Sequence, residues 1–465
     1  MSASMLFDFL TKKKYKCSYL LHDENPKAHG LDDTQIMRQL KEKEPSLLIV
    51  TDAGSLNNKP CEKLEKLGWE VLILDHHEAS AEDNKHAIVV NNKISDRVEN
   101  KDGSGALVTW HFMHLIDPDL ANEYISYVAI SIISDSMSFL TNENATFIIR
   151  GLQANVIHPN LKPLIDKLQT NYYPLSFSFG GLVVKSNSTI RLGTIEDKKL
   201  LFECMCGNHE HIDDVVKIVK HYHTKQNLEA TRILEQSVEI DDDTQNVLLC
   251  KLSEKTPLTG LVANKLMGKT GKPVLMVHEK ADGKVEGSVR SPVPFRDLLN
   301  ESGLFNYNQG HSFAHGTSYN LENEEIVKEF LYSLTDLEPC YDVLCSLGLN
   351  SLSTDLIDVF DGYNELYGND LKEPQFHIKG LVLNKNDFNV IGKAGTTVKF
   401  EKNGWQFIKF FCTHEWIEEN IVNMADEVNV EMIGKLQWNE WCGTKSPQFV
   451  IERIEFKEFG FDDLF

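Results

Sequence analysis

The sequence predicts an α/β protein built on a parallel sheet, followed by a second, smaller α/β unit and a C-terminal β-barrel. Three observations carry this. Continuous apolar runs alternate with helical patterns through the N-terminal third of the 465 residues. A second set of such runs begins near Val247, and from about Phe376 the pattern changes to short strands separated by Gly and Asn turns. Continuous apolar strands between helices indicate a parallel sheet covered on both faces. About five short strands with Gly and Asn turns suit a small barrel such as an OB-fold.

The elements follow in order. Residues 5–13 read as a helix, 17–21 as a strand and 33–43 as a helix. The run Ser46-Leu47-Leu48-Ile49-Val50 ends at Thr51-Asp52. After a helix over 59–67, Glu70-Val71-Leu72-Ile73-Leu74 ends at Asp75-His76-His77, and residues 87–90 form a third run. Helical stretches over 106–116 and 122–134 lead to Asp135, and residues 165–240 are mixed, closing in a helix over 224–239. The second unit has strands at 247–250 and 273–277 around a helix at 260–267; residues 321–370 are acidic and helical. The barrel strands are expected at 377–383, 397–400, 406–411, 427–433 and 448–454. No repeat or low-complexity tract interrupts them.

Composition narrows the function. Hydrophobic residues are 42% and charged residues 25%, as in an ordinary globular protein. No apolar run is long enough for a membrane span, and the acid-bearing N-terminus lacks the basic region of a signal peptide, so a cytoplasmic protein is expected. Nine scattered cysteines fit reduced thiols. Cys204-Met205-Cys206 with His209 and His211 lacks zinc-finger spacing and reads as a solvent-exposed helix end. A net charge of −22 argues against a surface coated in basic residues. A nuclease remains compatible with it, because a metal site needs carboxylates; any nucleic-acid track is then a local stripe of the 47 lysines and arginines.

In open parallel sheets the site lies at the carboxyl ends of the strands. Asp52 and the Asp75-His76-His77-Glu78 cluster both fall there. Imidazole with carboxylate suits Mn, Fe or Zn, carboxylate alone favours Mg or Mn, and phosphodiester hydrolysis commonly uses a pair of such ions. On these residues alone a second reading stays open: Asp75 caps a following helix and the histidines are incidental.

Several ordered motifs together resemble the DHH phosphoesterase superfamily, and within it the RecJ-type single-strand exonucleases. Asp75-His76-His77 is similar to the motif that names the family, Asp52-Ala53-Gly54-Ser55 to its D-x-G-S motif, Ser104-Gly105-Ala106 to its S-G-A segment, and Ile132-Ile133-Ser134-Asp135-Ser136 to the motif with a single metal-binding aspartate. Gly260-Leu261-Val262-Ala263-Asn264-Lys265-Leu266, Gly287-Ser288-Val289-Arg290-Ser291 and Gln309-Gly310-His311-Ser312-Phe313-Ala314-His315-Gly316 resemble the companion DHHA1 domain, with Gln309 in place of a glycine. Leu366 to Pro374 and Gly434 to Gly443 resemble the segments entering and closing the RecJ OB domain.

The resemblance implies a DHH domain over 1–165, a helical connector over 166–240, a DHHA1 domain over 241–335, and a helical segment with an OB-like nucleic-acid-binding domain over 336–465. It implies that Asp52 bridges two metals, Mn²⁺ or Mg²⁺, that His76 and Asp135 ligate one of them, that Asp75 supports the site, and that His77 contacts the scissile phosphate or its water. Ser288, Arg290, Gly310 and His311 are implied to hold a phosphate; residue type alone favours a surface arginine and a core histidine, and the order of the motifs reverses that. Residues 1–10 resemble the helix that follows the family's first D-x-D-G motif, so the resemblance also implies that the strand and carboxylates of that motif are missing from this chain and that the chain as given is a weak nuclease. The expected substrate is single-stranded DNA, cut from the 5′ end in repair, recombination or replication. The expected protein is a monomer, with a single-strand-binding protein or helicase as the kind of partner. Trp405, Phe407 and Trp416 are candidates for base stacking, although a half-buried strand shows the same aromatics as core, and core is the favoured reading for each alone. Alternatives are a phosphodiesterase for short oligonucleotides or cyclic dinucleotides, which the C-terminal domain argues against, and a non-catalytic DNA- or replisome-binding relative.

Overall fold

The computed structural model describes residues 1–22, 30–31, 34–168, 171–178, 181–242, 244–335, 337, 341–368, 370–392, 395–410, 412–441 and 443–457. The chain forms two compact units, Met1–Glu229 with Asn364–Lys372 and Ala230–Tyr363 with Glu373–Phe465.

The first unit holds a parallel sheet of β1 (Leu47–Thr51), β2 (Glu70–Asp75) and β3 (Ile88–Asn91), in that order. The register sets Thr51 beside Leu74 and Asp75 beside Asn91, so the three carboxyl ends meet along one edge. Central β2 explains its own unbroken apolar run. Val71 and Ile73 pack with Ile36, Leu40, Cys61 and Leu64 of the helices Thr34–Lys41 and Asn58–Lys66. Leu72 and Leu74 pack the other way, with Met5, Phe9, Leu107, Val128 and Ile132 of Ser2–Lys12, Gly105–Ile116 and Ile125–Ser134. Side chains alternate across a strand, so a strand covered on both faces must be apolar at every position.

Three expectations change here. Residues 17–21 form no strand: Tyr19 instead packs its ring 5.3 Å from Phe7 and 4.4 Å from Phe202, and its hydroxyl donates to Glu203 Oε1. Those side-chain contacts hold the segment against helices rather than in the sheet. The helical stretch over 122–134 starts later, at Ile125, and runs to Ser134; a separate short helix, Pro118–Asn122, precedes it, started by Asp117, whose side chain accepts from the Leu120 N–H. Asp33, expected to open a helix, lies outside the described residues. The helix end at Cys204 is exposed only beyond Cys206: Gly207, Asn208, Glu210 and His211 are exposed, but Cys204 is core, and burial pushes its thiol up to about 11.

The second unit contains a six-stranded sheet of β4 (Val238–Ile240), β5 (Leu248–Leu252), β6 (Val274–Glu279), β7 (Lys284–Arg290), β8 (Tyr307–His311) and β9 (Ala314–Asn320), in the order β4-β5-β6-β7-β9-β8. β5 and β6 are parallel, joined over the helix Thr259–Thr270; the other pairs are antiparallel. That helix covers Val274 and Met276 on one face, while Phe295, Leu299, Val327 and Leu331 cover Leu275, Val277, Val285 and Val289 on the other.

A third sheet comprises β10 (Val343–Gly348), β11 (Gln375–Asn384), β12 (Asn389–Ile391), β13 (Thr397–Lys402), β14 (Trp405–Lys409), β15 (Glu427–Trp441) and β16 (Thr444–Lys457), ordered β10-β11-β15-β16-β14-β13-β12. Two of these, β10 and β12, were not expected, and β10 replaces part of the helical reading of 321–370. No pairing joins β10 to β12 among the described residues, so the sheet is open rather than a closed barrel. Its core takes up two of the stacking candidates, as favoured for strand aromatics. Phe407 is fully buried with its ring 4.7 Å from Phe400, and Trp405 is buried beside it, because Phe400 and Phe407 are directly opposed on adjacent strands. Trp416 is half-buried, 6.1 Å from Phe456 with Lys409 Nζ 5.7 Å from its ring centre. Among the described residues no helix is long and apolar enough to cross a membrane.

Candidate functional site

Asp75 is the last residue of β2 and is 1% exposed. Its Oδ1 accepts from the backbone N–H of His76 at 2.8 Å and of His77 at 3.3 Å, and lies 2.7 Å from His77 Nδ1. Its Oδ2 accepts from the Ser55 N–H at 3.1 Å, which ties the D-x-G-S turn to the end of the neighbouring strand. Burial alone would favour a neutral acid; the hydrogen bond and charge of His77 and the donors of Ser55 outweigh it and hold the carboxyl well below the usual carboxylate range. No helix begins within residues 76–87, so Asp75 is not a helix cap. It is a buried clamp whose two oxygens are already occupied.

Asp52 follows β1 directly. Its N–H donates to Leu74 O at 2.8 Å, and its φ of +63° lies in the left-handed region that non-glycine residues rarely adopt. His76, 8% exposed, places Nδ1 3.1 Å from Gly103 O, which leaves Nε2 facing Asp52 Oδ1 at 3.2 Å. Although close, the geometry is not that of a hydrogen bond, and Asp52 Oδ1 is buried without one. Gly105 makes this placement possible: a Cβ there would stand 2.1 Å from Asp52 Oδ1. Ser104 starts the same helix, its Oγ accepting from the Leu107 N–H. Burial works against a charged His76, but Asp52 and then the charges of Asp135 and Asp75 push its pKa up.

His77 completes a tight group. One ligand atom from each of Asp52, His76 and His77 lies within 4.8 Å of the others. His77 is raised chiefly by its hydrogen bond to Asp75, and its side chain is 58% exposed. Asp135, at the end of the helix Ile125–Ser134, accepts from Ser131 Oγ at 3.1 Å; burial and the Asp52 charge push its carboxyl up. It stands near enough to act on His76 but outside the 4.8 Å group. The donor set fits a divalent ion: two imidazoles, one carboxylate whose buried oxygen has no hydrogen bond, and a second carboxylate alongside.

Sequence reasoning missed the supports. Asn91 Nδ2 donates to Ser55 Oγ at 3.0 Å and to His77 O at 2.9 Å. Asn92 Nδ2 donates to the carbonyls of Asn100, Lys101 and Gly103, fixing the loop whose Gly103 O meets His76. The signal was present in the third apolar run, which ends in two consecutive asparagines beside the two acidic strand ends.

In the second unit the antiparallel register places Arg290 of β7, Ala314 of β9 and His311 of β8 in one cross-strand row, and Ser288, Gly316 and Gln309 in the next. Directly paired residues project to the same face, so Ser288, Arg290 and His311 share one. Gly260 leaves room for the arginine, since a Cβ there would meet Arg290 Nη2 at 2.4 Å. The Gly310 carbonyl accepts from Arg296 Nη1 at 2.6 Å, and Gly310 has a φ of +134° with the His315 backbone pressed close, a position for glycine alone. His311 is exposed.

Comparison with known proteins agrees with both ends of the chain. Residues 1–132 match the N-terminal domain of the DHH family, and residues 345–453 match the RecJ OB domain. An SPbeta prophage-derived protein of Bacillus subtilis (strain 168), YorK, named as a single-strand DNA-specific exonuclease, is 28% identical over 98% of this chain and 85% of its own length. The single-stranded-DNA-specific exonuclease RecJ of the same organism is 24% identical over the whole of this chain, which spans 60% of it. The crystal structure of RecJ with Mn²⁺ from Thermus thermophilus superimposes with a TM-score of 0.74 at 18% identity, over 98% of this chain and 67% of that one. The same protein with Mg²⁺ gives 0.64 at 18% identity, over 91% and 70%.

Proposed function

The chain belongs to the RecJ-like proteins of the DHH family, and from that premise we propose that it is a nuclease that hydrolyses single-stranded DNA with Mn²⁺ or Mg²⁺. The observation that carries this is the Asp52, His76 and His77 group, closed to 4.8 Å around a buried carboxylate oxygen that has no hydrogen bond. Asp52, His76 and His77 would hold the ion, with Asp135 beside them. When bound, it supplies the positive charge that polarises a phosphodiester and stabilises the leaving oxygen.

The chain's own residues do the rest. Asp75 orients His77 through Nδ1, which leaves the other ring nitrogen as the one that would meet the ion. Gly103 O fixes the His76 ring, so that Nε2 is the nitrogen turned to Asp52. Ser288, Arg290 and His311 supply a basic face for the phosphate backbone, with arginine's planar fork matched to phosphate oxygens. By family likeness the cut proceeds from the 5′ end, and the work belongs to repair, recombination or replication.

The test is digestion of a single-stranded oligonucleotide labelled at either end, with Mn²⁺ or Mg²⁺. Asp52→Asn is expected to lose at least about 100-fold in rate, and chelation to abolish activity. Digestion by Asp52→Asn at the unaltered rate would remove the reading, and release of the 3′ label first would reverse the polarity. A folded chain that binds the oligonucleotide but never cuts it would favour a DNA-binding relative without catalysis.

A further inference from the structure

The face of the second sheet that carries Arg290 and Ser288, covered over β6 by the helix Thr259–Thr270, continues by one more row. The next row runs His278 on β6, Glu286 on β7, Ser318 on β9 and Tyr307 on β8. Same-face neighbours along a strand are about 6.8 Å apart, so Tyr307 stands about 14 Å from His311 along β8. Between them the middle row has no side chain at its centre. Gly316 lies between Ser288 and Gln309, and an added Cβ there would meet nothing closer than Gln309 O and the Tyr307 ring edge, both at 3.8 Å. The hollow therefore has a backbone floor, an arginine and histidine at one end and a half-buried phenol ring at the other.

One further observation points to a ligand there. Tyr307 packs with none of the core clusters and has no ring partner among the described residues, so this ring is not held as core. Lys280 neutralises Glu286 at 2.9 Å, so the row does not repel an anion.

We propose that this face is a stacking platform for an extended single strand, with a phosphate at the Arg290 and His311 row, a sugar over Gly316, and the adjoining base on the Tyr307 ring. This rests on the nucleic-acid reading above and deepens it by naming what holds a base. A ring-on-base contact is sequence-tolerant, because every base has a π-face. It suits an enzyme that must pass any sequence.

The test uses the full chain with chelator, so that binding is read without cleavage. Fluorescence anisotropy is measured with a labelled oligothymidine and with an abasic strand of the same length. Tyr307→Ala is expected to weaken oligothymidine binding about tenfold and leave the abasic strand unchanged, and Tyr307→Phe to bind as the parent does. Gly316→Val, which a strand accommodates and the open space permits, is expected to weaken both strands. Arg290→Ala runs in parallel. If it weakens binding while Tyr307→Ala leaves the oligothymidine affinity untouched, or weakens both strands equally, the platform is wrong and the phosphate reading stands. If neither strand binds the parent chain, the nucleic-acid reading itself fails.

Discussion

The two units place reactive groups by different means. In the first, carboxylates and imidazoles project from the ends of parallel strands, and their order comes from buried hydrogen bonds: Asp75 clamps His77 and Ser55, Asn92 clamps the loop that clamps His76. In the second, an arginine, a histidine and small residues lie across the face of antiparallel strands, spaced by the ladder itself. Each uses a glycine to clear space for its main charged group, Gly105 for Asp52 and Gly260 for Arg290. A metal-type site requires fixed atoms, whereas a backbone-binding face requires charge at roughly the right height. The first should therefore be brittle to substitution and the second forgiving.

The sharpest way to break this contrast is to cut the clamp. Asp75→Asn removes the charge that orients His77, and the nuclease rate is expected to fall about 100-fold, the upper range for loss of a supporting partner. Circular dichroism should show the variant folded. A rate within a few-fold of the parent would mean that the clamp does not order the site.

The two glycines test the contrast directly. In Gly105→Ala the new Cβ meets both Asp52 Oδ1 at 2.1 Å and Asp52 Cβ at 2.9 Å, so the carboxylate must leave its place. A loss of about 30-fold in rate is expected, with a stability cost of about 1–3 kcal/mol. In Gly260→Ala the clash is with the far end of a flexible side chain, and the cost should stay under about 1 kcal/mol with a change in binding of about twofold. Equal effects would erase the distinction.

Histidines sharpen it through pH. Those of the metal group are raised by neighbouring carboxylates, but His158 in the first unit is pushed down to about 4 by burial and by Lys12, and His315 in the second also to about 4, mainly by burial. For these two the folded state resists a proton that the unfolded chain accepts near pH 6.5. Stability is therefore lost as pH falls from about 6.5 toward 4, by about 2 kcal/mol for His158 between pH 7.5 and 5. Urea unfolding at both pH values should show the loss, and His158→Asn should reduce it.

The smallest effect is ionic. Arg290→Ala should lower the slope of log binding constant against log salt by about 0.7, the share of one phosphate on a single strand. An unchanged slope would remove Arg290 from the phosphate track.

Much of this was legible from residue order alone. The apolar runs before Asp52 and Asp75 specified parallel strands, because only a strand covered on both faces is apolar at every position. The carboxyl-end rule then put both acids on one edge of the sheet. The resemblance gave Asp75 a supporting role, but residue order did not show which groups it would hold, nor that His77, rather than Asp135, would join Asp52 and His76 in one tight group. Those depend on angles at strand ends and on which carbonyl a loop presents, and a loop such as 100–103 is held by an asparagine from another segment. Trp405 and Phe407 show the same limit. Alternation predicts that strand aromatics share a face, but which face is core is decided when Phe400 and Phe407 meet across the sheet. Local chemistry travels with the sequence; burial and the partner of each buried polar atom belong to the packed fold.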